Sequence, residues 1–190
     1  VRHLDAAFAR VWLLGPGDLC GDCYKIAHCA DREQCLHLEA SAGLYRNLNG
    51  EYRRIPLGAL KIGKIAQGRG AMATNDVLGD DRLPNKPWMK ENGLQSFAGY
   101  PLLLGQQVVG VMAIFARHPL TEPMLSGMET VSKALTLVIV RKRAEEALQE
   151  SEQRLELALH GGDLGTWDWQ VRSGAVVFNQ RWAGMLGYTS

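Results

Sequence analysis

Apolar and polar positions along the chain switch between a period of two and a period of about 3.6, and the switches mark out the elements. Phe8, Arg10 and Trp12 alternate with Ala9, Val11 and Leu13, which predicts a strand over residues 7–14. Leu36, Leu38, Ala40 and Ala42 alternate with His37, Glu39 and Ser41, a half-buried strand over 36–42. Residues 43–54 are irregular, with turn chemistry at Asn47, Asn49 and Gly50. A short helix is predicted over 57–67, with Leu57, Leu60, Ile65 and Ala66 on one face and Gly68 and Gly70 stopping it. A short strand at 71–74 and a loop at 75–82 follow. A helix over 87–92 starts at Pro87 and ends before Gly93. Residues 95–104 and 107–117 form a strand pair joined through Gly105 and Gln106. The second of these is apolar on both faces, with Val108, Met112 and Ile114 on one and Val109, Val111, Ala113 and Phe115 on the other. A strand buried on both sides lies inside its sheet, with a layer above and a layer below.

Thr121 is placed to cap a helix that opens with Glu122 and Pro123. Met124, Met128, Val131, Leu135 and Val138 recur at helical spacing, and from there the pattern continues without a Gly or Pro break to about residue 159. That is far longer than an ordinary globular helix of about 11–12 residues. From about residue 137, Leu137, Arg141, Ala144, Leu148, Ser151, Leu155 and Ala158 fall on a heptad seam. We read a coiled-coil linker within a helix spanning 121–160, pairing in a parallel homodimer; a single solvated helix with i,i+4 charge pairs is the alternative. Gly161 and Gly162 end the helix. Strands at 164–171 and 175–178 around Arg172-Ser173-Gly174, then a helix at 180–186, are too little to close a core.

The 190 residues suffice for one domain and part of another, and 46% hydrophobic with 22% charged residues is ordinary for a globular protein. A net charge of +1, with no basic stripe among aromatics, argues against a nucleic-acid partner. The longest apolar run, 134–140, is short for a membrane span, and no secretory signal is visible. We expect a cytoplasmic fragment of a longer protein, without membrane insertion. No phosphate-binding loop, Ser/His/Asp set or paired carboxylates stand out, so the fragment is not expected to be an enzyme.

All four cysteines, Cys20, Cys23, Cys29 and Cys35, lie between the first two predicted strands with the spacing C-x2-C-x5-C-x5-C. The loop is too polar to be core, and a loop of that length needs something to hold it. A metal or cluster, redox or regulatory thiols, and plain structural cysteines are the readings considered. Only Cys20 and Cys23 form the close pair that zinc sites favour, so an iron–sulfur cluster is placed slightly ahead of zinc. His28 and His37 are substitute ligands.

Several stretches resemble a GAF domain of bacterial sensory kinases, over residues 1–143. They are Leu38 to Gly43, Ile62 to Ala66, Thr74 to Arg82, Phe97 to Leu102 and Val108 to Ala113. The resemblance implies an α+β fold in α/β/α layers, an antiparallel sheet with helices on both faces, and a small-molecule pocket. It implies that Ile62, Ile65, Asn75, Asp76, Trp88, Phe97 and Tyr100 line that pocket for an unknown small-molecule ligand. The cyclic-nucleotide signature and the chromophore-attaching cysteine of phytochrome-like members are absent. Glu152 to Ala158, Gly165 to Trp169 and Phe178 to Trp182, with Gly187 and Tyr188, resemble the opening of a PAS domain, incomplete over 161–190. Together the resemblances imply a sensory input module of a histidine kinase or similar protein. Its effector, a kinase or nucleotide cyclase, would lie elsewhere in the same chain. A redox enzyme of the free methionine sulfoxide reductase type and a ligand-free dimerisation module are the alternatives.

Overall fold

The computed structural model describes residues 5–29 and 32–188. It contains two units, Val1–Val140 and Arg141–Ser190. In the first, strands β1 (Ala6–Pro16), β2 (Gln34–Gly43), β3 (Arg54–Pro56), β4 (Met72–Thr74), β5 (Ser96–Leu104) and β6 (Gln107–Ala116) form one six-stranded sheet. The order is β3-β2-β1-β6-β5-β4, and every pairing is antiparallel. Helices α1 (Leu60–Gly68) and α2 (Lys86–Glu91) supply core residues to one face. Helix α3 (Glu122–Gly161) covers the other with its first part.

Strand β6 pairs with β1 on one side and β5 on the other, which makes it central. Its two faces are not divided as simple alternation predicts. Leu102 pairs with Gly110 but Leu103 pairs with Val108, so Val109 is an extra residue in the strand. The bulge moves Val108 to the side of Val111, Ala113 and Phe115, and Val109 to the side of Met112 and Ile114. Just past it a Cβ on Gly110 would lie 2.2 Å from the Trp12 carbonyl oxygen, so only glycine allows β1 to pack this close.

Two elements differ from expectation in extent. Strand β3 was not expected: it starts at the last residue of the segment read as irregular and runs to Pro56, and three such residues carry no period. It sits at the sheet edge, where a proline costs no ladder bond. Helix α1 begins at Leu60 rather than 57, after Gly58 at φ +79° and the extended Ala59.

The buried stripe of α3 also differs. Met128, Ser132 and Thr136 are buried, flanked by Met124, Leu125, Leu135 and Ile139, whereas Val131 and Val138 are exposed. Two hydroxyls lie in the core because each is satisfied on its own helix. Ser132 donates to the Glu129 carbonyl at 2.7 Å and Thr136 to the Ser132 carbonyl at 2.8 Å. By length and composition α3 also contains a stretch apolar enough to cross a bilayer, which the count of one short run missed. Tyr100 ties the helix down by donating to the Leu125 carbonyl at 2.9 Å.

The second unit holds the rest of α3, a hairpin of β7 (Trp167–Gln170) and β8 (Ala175–Phe178), and α4 (Gln180–Met185). Asn179 caps α4, its side chain accepting from Trp182 N at 2.8 Å and from Thr166 N at 2.9 Å. Trp167, Trp169, Val177 and Phe178 stay exposed, so this hairpin has no covering layer of its own.

Candidate functional site

A cavity of about 220 Å³ opens between the sheet and the α1–α2 side. Strand β1 supplies Phe8, Arg10 and Trp12, side by side because alternate residues of a strand share a face. Trp88 from α2 packs edge-on against Phe8 with ring centres 5.8 Å apart, and Phe115 stacks on Phe8 at 4.6 Å. Tyr45 and Tyr52 come from the segment between β2 and β3. Tyr52 is held by Trp12, whose indole N–H donates to the Tyr52 carbonyl at 2.9 Å.

Two cations reach this apolar space and are treated differently. Lys61, on α1, is 1% exposed and lies over the Phe97 ring at 4.4 Å. Its ammonium donates to Asp80 at 2.6 Å, and Arg82 grips the same carboxylate through Nε and Nη2, both at 2.8 Å. These hydrogen bonds, Arg82 first, hold the Asp80 carboxyl well below the usual carboxylate range. Burial lowers Lys61 from its ordinary value while Asp80 opposes that. Lys86 closes the loop by donating to the carbonyls of Val77 at 2.9 Å and Leu78 at 2.8 Å. Arg10 is 8% exposed, and its Nε is buried with no hydrogen-bond partner. Its guanidinium lies 4.4 Å from the Tyr45 ring centre and 5.2 Å from that of Phe8. Burial pushes it below its ordinary value.

Of the residues expected at a pocket, Ile62, Trp88 and Phe97 line this cavity, and Ile65 is in the core cluster behind it. Asn75, Asp76 and Tyr100 are elsewhere. Asn75 clamps Leu120, accepting from its N–H at 2.8 Å and donating to its carbonyl at 3.2 Å, while Asp76 accepts from Gly79 N in a turn. Tyr100 is three residues from Phe97 on β5, hence on the opposite face. Missed were Arg10, Tyr45, Tyr52 and Lys61. A charge between two aromatics at strand period was the available signal for Arg10.

The cysteine loop lies in the β1–β2 hairpin, and residues 30 and 31 within it fall outside the described residues. Gly17 N donates to the Glu33 carbonyl at 2.9 Å, and Arg54 grips Asp18 through Nε at 2.8 Å and Nη2 at 2.6 Å. Cys20, Cys23, Cys29 and Cys35 all line one narrow cleft, with Leu19, Ile26 and Pro56, and none forms a disulfide. Burial raises the Cys35 thiol to about 11. Among the described residues, Asp18, Cys35 and His37 are the one trio with ligand atoms within 4.8 Å of one another. That trio is already committed internally. Asp18 is paired with Arg54, and His37 Nε2 lies 2.7 Å from the Pro16 carbonyl, which can only accept, so that nitrogen carries the hydrogen and offers no lone pair. Among the described residues no three of the four sulfurs lie mutually within 4.8 Å, whereas tetrahedral zinc with Zn–S bonds of about 2.3 Å places them about 3.8 Å apart.

The sheet order, the helices on both faces and the long last helix define a class of α+β domain built on one antiparallel sheet. The chain belongs to the GAF domain family, which matches residues 1–139. It is 18% identical to the GAF domain of an Acinetobacter phosphoenolpyruvate-protein phosphotransferase, with a TM-score of 0.55 over 77% of this chain and 78% of that one. For the corresponding GAF domain from Coxiella burnetii the values are 19%, 0.56, 77% and 79%. A type II free methionine-R-sulfoxide reductase from Thermoplasma acidophilum is 13% identical, with a TM-score of 0.52 over 71% of this chain and 79% of that one. At such identities the likeness is one of fold. Over 46 residues, 24% of this chain, it is 48% identical to hybrid signal transduction histidine kinase A of Dictyostelium discoideum, of which it covers 2%.

The charge cluster yields a stability prediction. Asp80→Asn leaves Lys61 buried without its counter-charge and is expected to cost about 3–5 kcal/mol. Adding Lys61→Met to that variant is expected to restore most of the loss. Because the Asp80 carboxyl is depressed in the fold, its contribution is complete above its unfolded value of about 3.9 and fades as pH falls toward the lower folded value. Urea unfolding of the three proteins at neutral pH checks this; a loss under about 1 kcal/mol, or no recovery in the double variant, contradicts it.

Proposed function

We propose that the chain is a sensory input module of a signal-transduction protein of the histidine-kinase type. A small molecule in the aromatic cavity is its signal, and α3 is the relay. The observation that carries this is the cavity itself, walled by four strands, two helices and a tyrosine-bearing loop in a domain of the GAF family. A redox enzyme of the methionine sulfoxide reductase type is disfavoured, because none of the four cysteines lines the cavity where a substrate would meet a thiolate. In a screen of small metabolites, ligands are expected to raise the Tm of the wild type and to lose that effect in Ile62→Trp, which fills the cavity. Hits that shift both proteins equally would sink the cavity reading.

A second reading is favoured by the four cysteines sharing one cleft. They would hold an iron–sulfur cluster, or zinc after a small closure of the loop, with the charge and redox chemistry such a centre brings. Metal analysis and visible absorption of anaerobically purified chain are expected to find iron with sulfide, and to find it lost in Cys23→Ser. Protein without bound metal, or a variant that keeps it, ends this reading.

The relay we propose is a parallel homodimer through α3, with β7, β8 and α4 as the opening of a PAS-like domain at 161–190. Leu137, Leu148 and Leu155, about 60% exposed or more, lie with Ala144 at heptad spacing on a helix that is rich in charged residues from Arg141 to Glu156. Arg141–Glu145 at 2.7 Å and Lys142–Glu146 at 3.6 Å support the helix without covering that seam. Solution mass is expected to be that of a dimer for the wild type and of a monomer for Leu148→Glu/Leu155→Glu. A monomeric wild type would leave the seam without its partner and refute the pairing.

A further inference from the structure

The cavity's charge is unbalanced in a way that specifies what fits it. Lys61 is neutralised by Asp80, and Glu51 at the rim is paired with Lys25. Among the described residues Arg10 has no carboxylate in its ion pairs or its electrostatic neighbours; what surrounds it is Tyr45, Tyr52, Phe8 and Trp12. Aromatic faces attract a guanidinium but do not replace the hydrogen bonds a buried N–H loses. A buried cation with an unmet donor is costly in a fold unless something arrives to meet it.

Resting on the cavity reading above, we infer that the ligand is a small organic monocarboxylate. Its carboxylate accepts from Arg10, and its apolar or aromatic body lies against Phe8 and Trp88. The planar guanidinium matches a carboxylate in shape, and one positive charge matches one negative charge. A phosphate dianion would carry a second charge into a space whose other cation is already paired. The volume of about 220 Å³, below the usual range of about 300–1,000 Å³ for pockets of drug-sized ligands, limits the body to a single ring or a short branched chain. The rings pressed on Arg10 keep its fork in place before the ligand arrives, which lowers the ordering cost of binding.

Phenylacetate, its neutral isostere phenylacetamide and the cation phenethylammonium serve as probes, titrated calorimetrically into the 190-residue chain. Phenylacetate is expected to bind about ten- to a hundredfold tighter than the amide, with no detectable binding of the cation. In Arg10→Met, which keeps the stem and removes the charge, the acid is expected to lose that advantage; circular dichroism checks its folding. Trp88→Ala, which leaves Arg10 in place, is expected to weaken acid and amide together. Equal affinity for acid and amide in the wild type overturns the carboxylate inference while the cavity reading stands, and it does so whether or not Arg10→Met folds. A folded Arg10→Met that keeps the preference overturns it as well. If neither acid nor amide binds, the inference falls, and the Tm screen with Ile62→Trp decides the cavity reading separately.

Discussion

The pairing of β1 with β6 is the constraint on which the rest depends. Both strands are covered on both faces, so every side chain they carry must be accommodated by a layer on one side or the other. On the α3 side, small and apolar residues such as Ala98, Ile114 and Ala116 let the helix lie close, and its own contact stripe narrows to Met128, Ser132 and Thr136. On the α1–α2 side, Phe8, Trp12, Phe97 and Phe115 are too large to pack flat under two short helices, and a cavity remains between them. The close fit of Gly110 under Trp12 and the bulge at Val109 are the adjustments that keep the central pair together while its two faces serve such different layers.

Charge burial follows from the same geometry. A buried ion pair rarely gains much over apolar packing, yet a buried charge without a partner is severely costly. Lys61 shows the compensated case: Asp80, Arg82 and Lys86 gather around it and organise the loop between β4 and α2. Arg10 shows the other case, surrounded by ring faces on a strand that cannot swing away. The first arrangement reads as structural because every group is satisfied within the chain. The second is left incomplete at one donor, which is why the ligand argument attaches to Arg10 and not to Lys61.

Much of this fold was legible from side-chain period. The hairpin around the cysteines, the two-sided β6 and the long α3 all follow from alternation or helical spacing over many residues. What escaped had no period to read or broke one. Strand β3 is three residues long, the bulge at Val109 reverses the faces of two valines, and Ser132 and Thr136 hide in the core by bonding to their own helix. The aromatic cavity was only partly legible. Ile62, Trp88 and Phe97 were placed in it through family resemblance, but Tyr100 was assigned there although strand alternation alone puts it opposite Phe97. Arg10 was visible as a charge between Phe8 and Trp12, and what could not be read was that no acid would come to meet it. That depends on chain returning from residues 45 and 52, far along the sequence.

The aromatic cavity and the cysteine cleft share no lining residue, yet they share a wall. In β3, Ile55 lines the cavity while Arg54 and Pro56 line the cleft, as alternation in a strand requires. Its partner strand repeats the division, with Leu36 in the core cluster and Cys35 in the cleft. The loop adds a second bridge, since Lys25, two residues from Cys23, pairs with Glu51 and lies 5.4 Å from the Tyr52 ring at the cavity rim. A three-residue edge strand has few ladder bonds, and β3 is held mainly by the buried Ile55 and Pro56, whose side chains back the two spaces. A change in either space therefore presses on the same short element. Coupling of that kind needs no long pathway through the core, only a strand whose two sides face two different spaces.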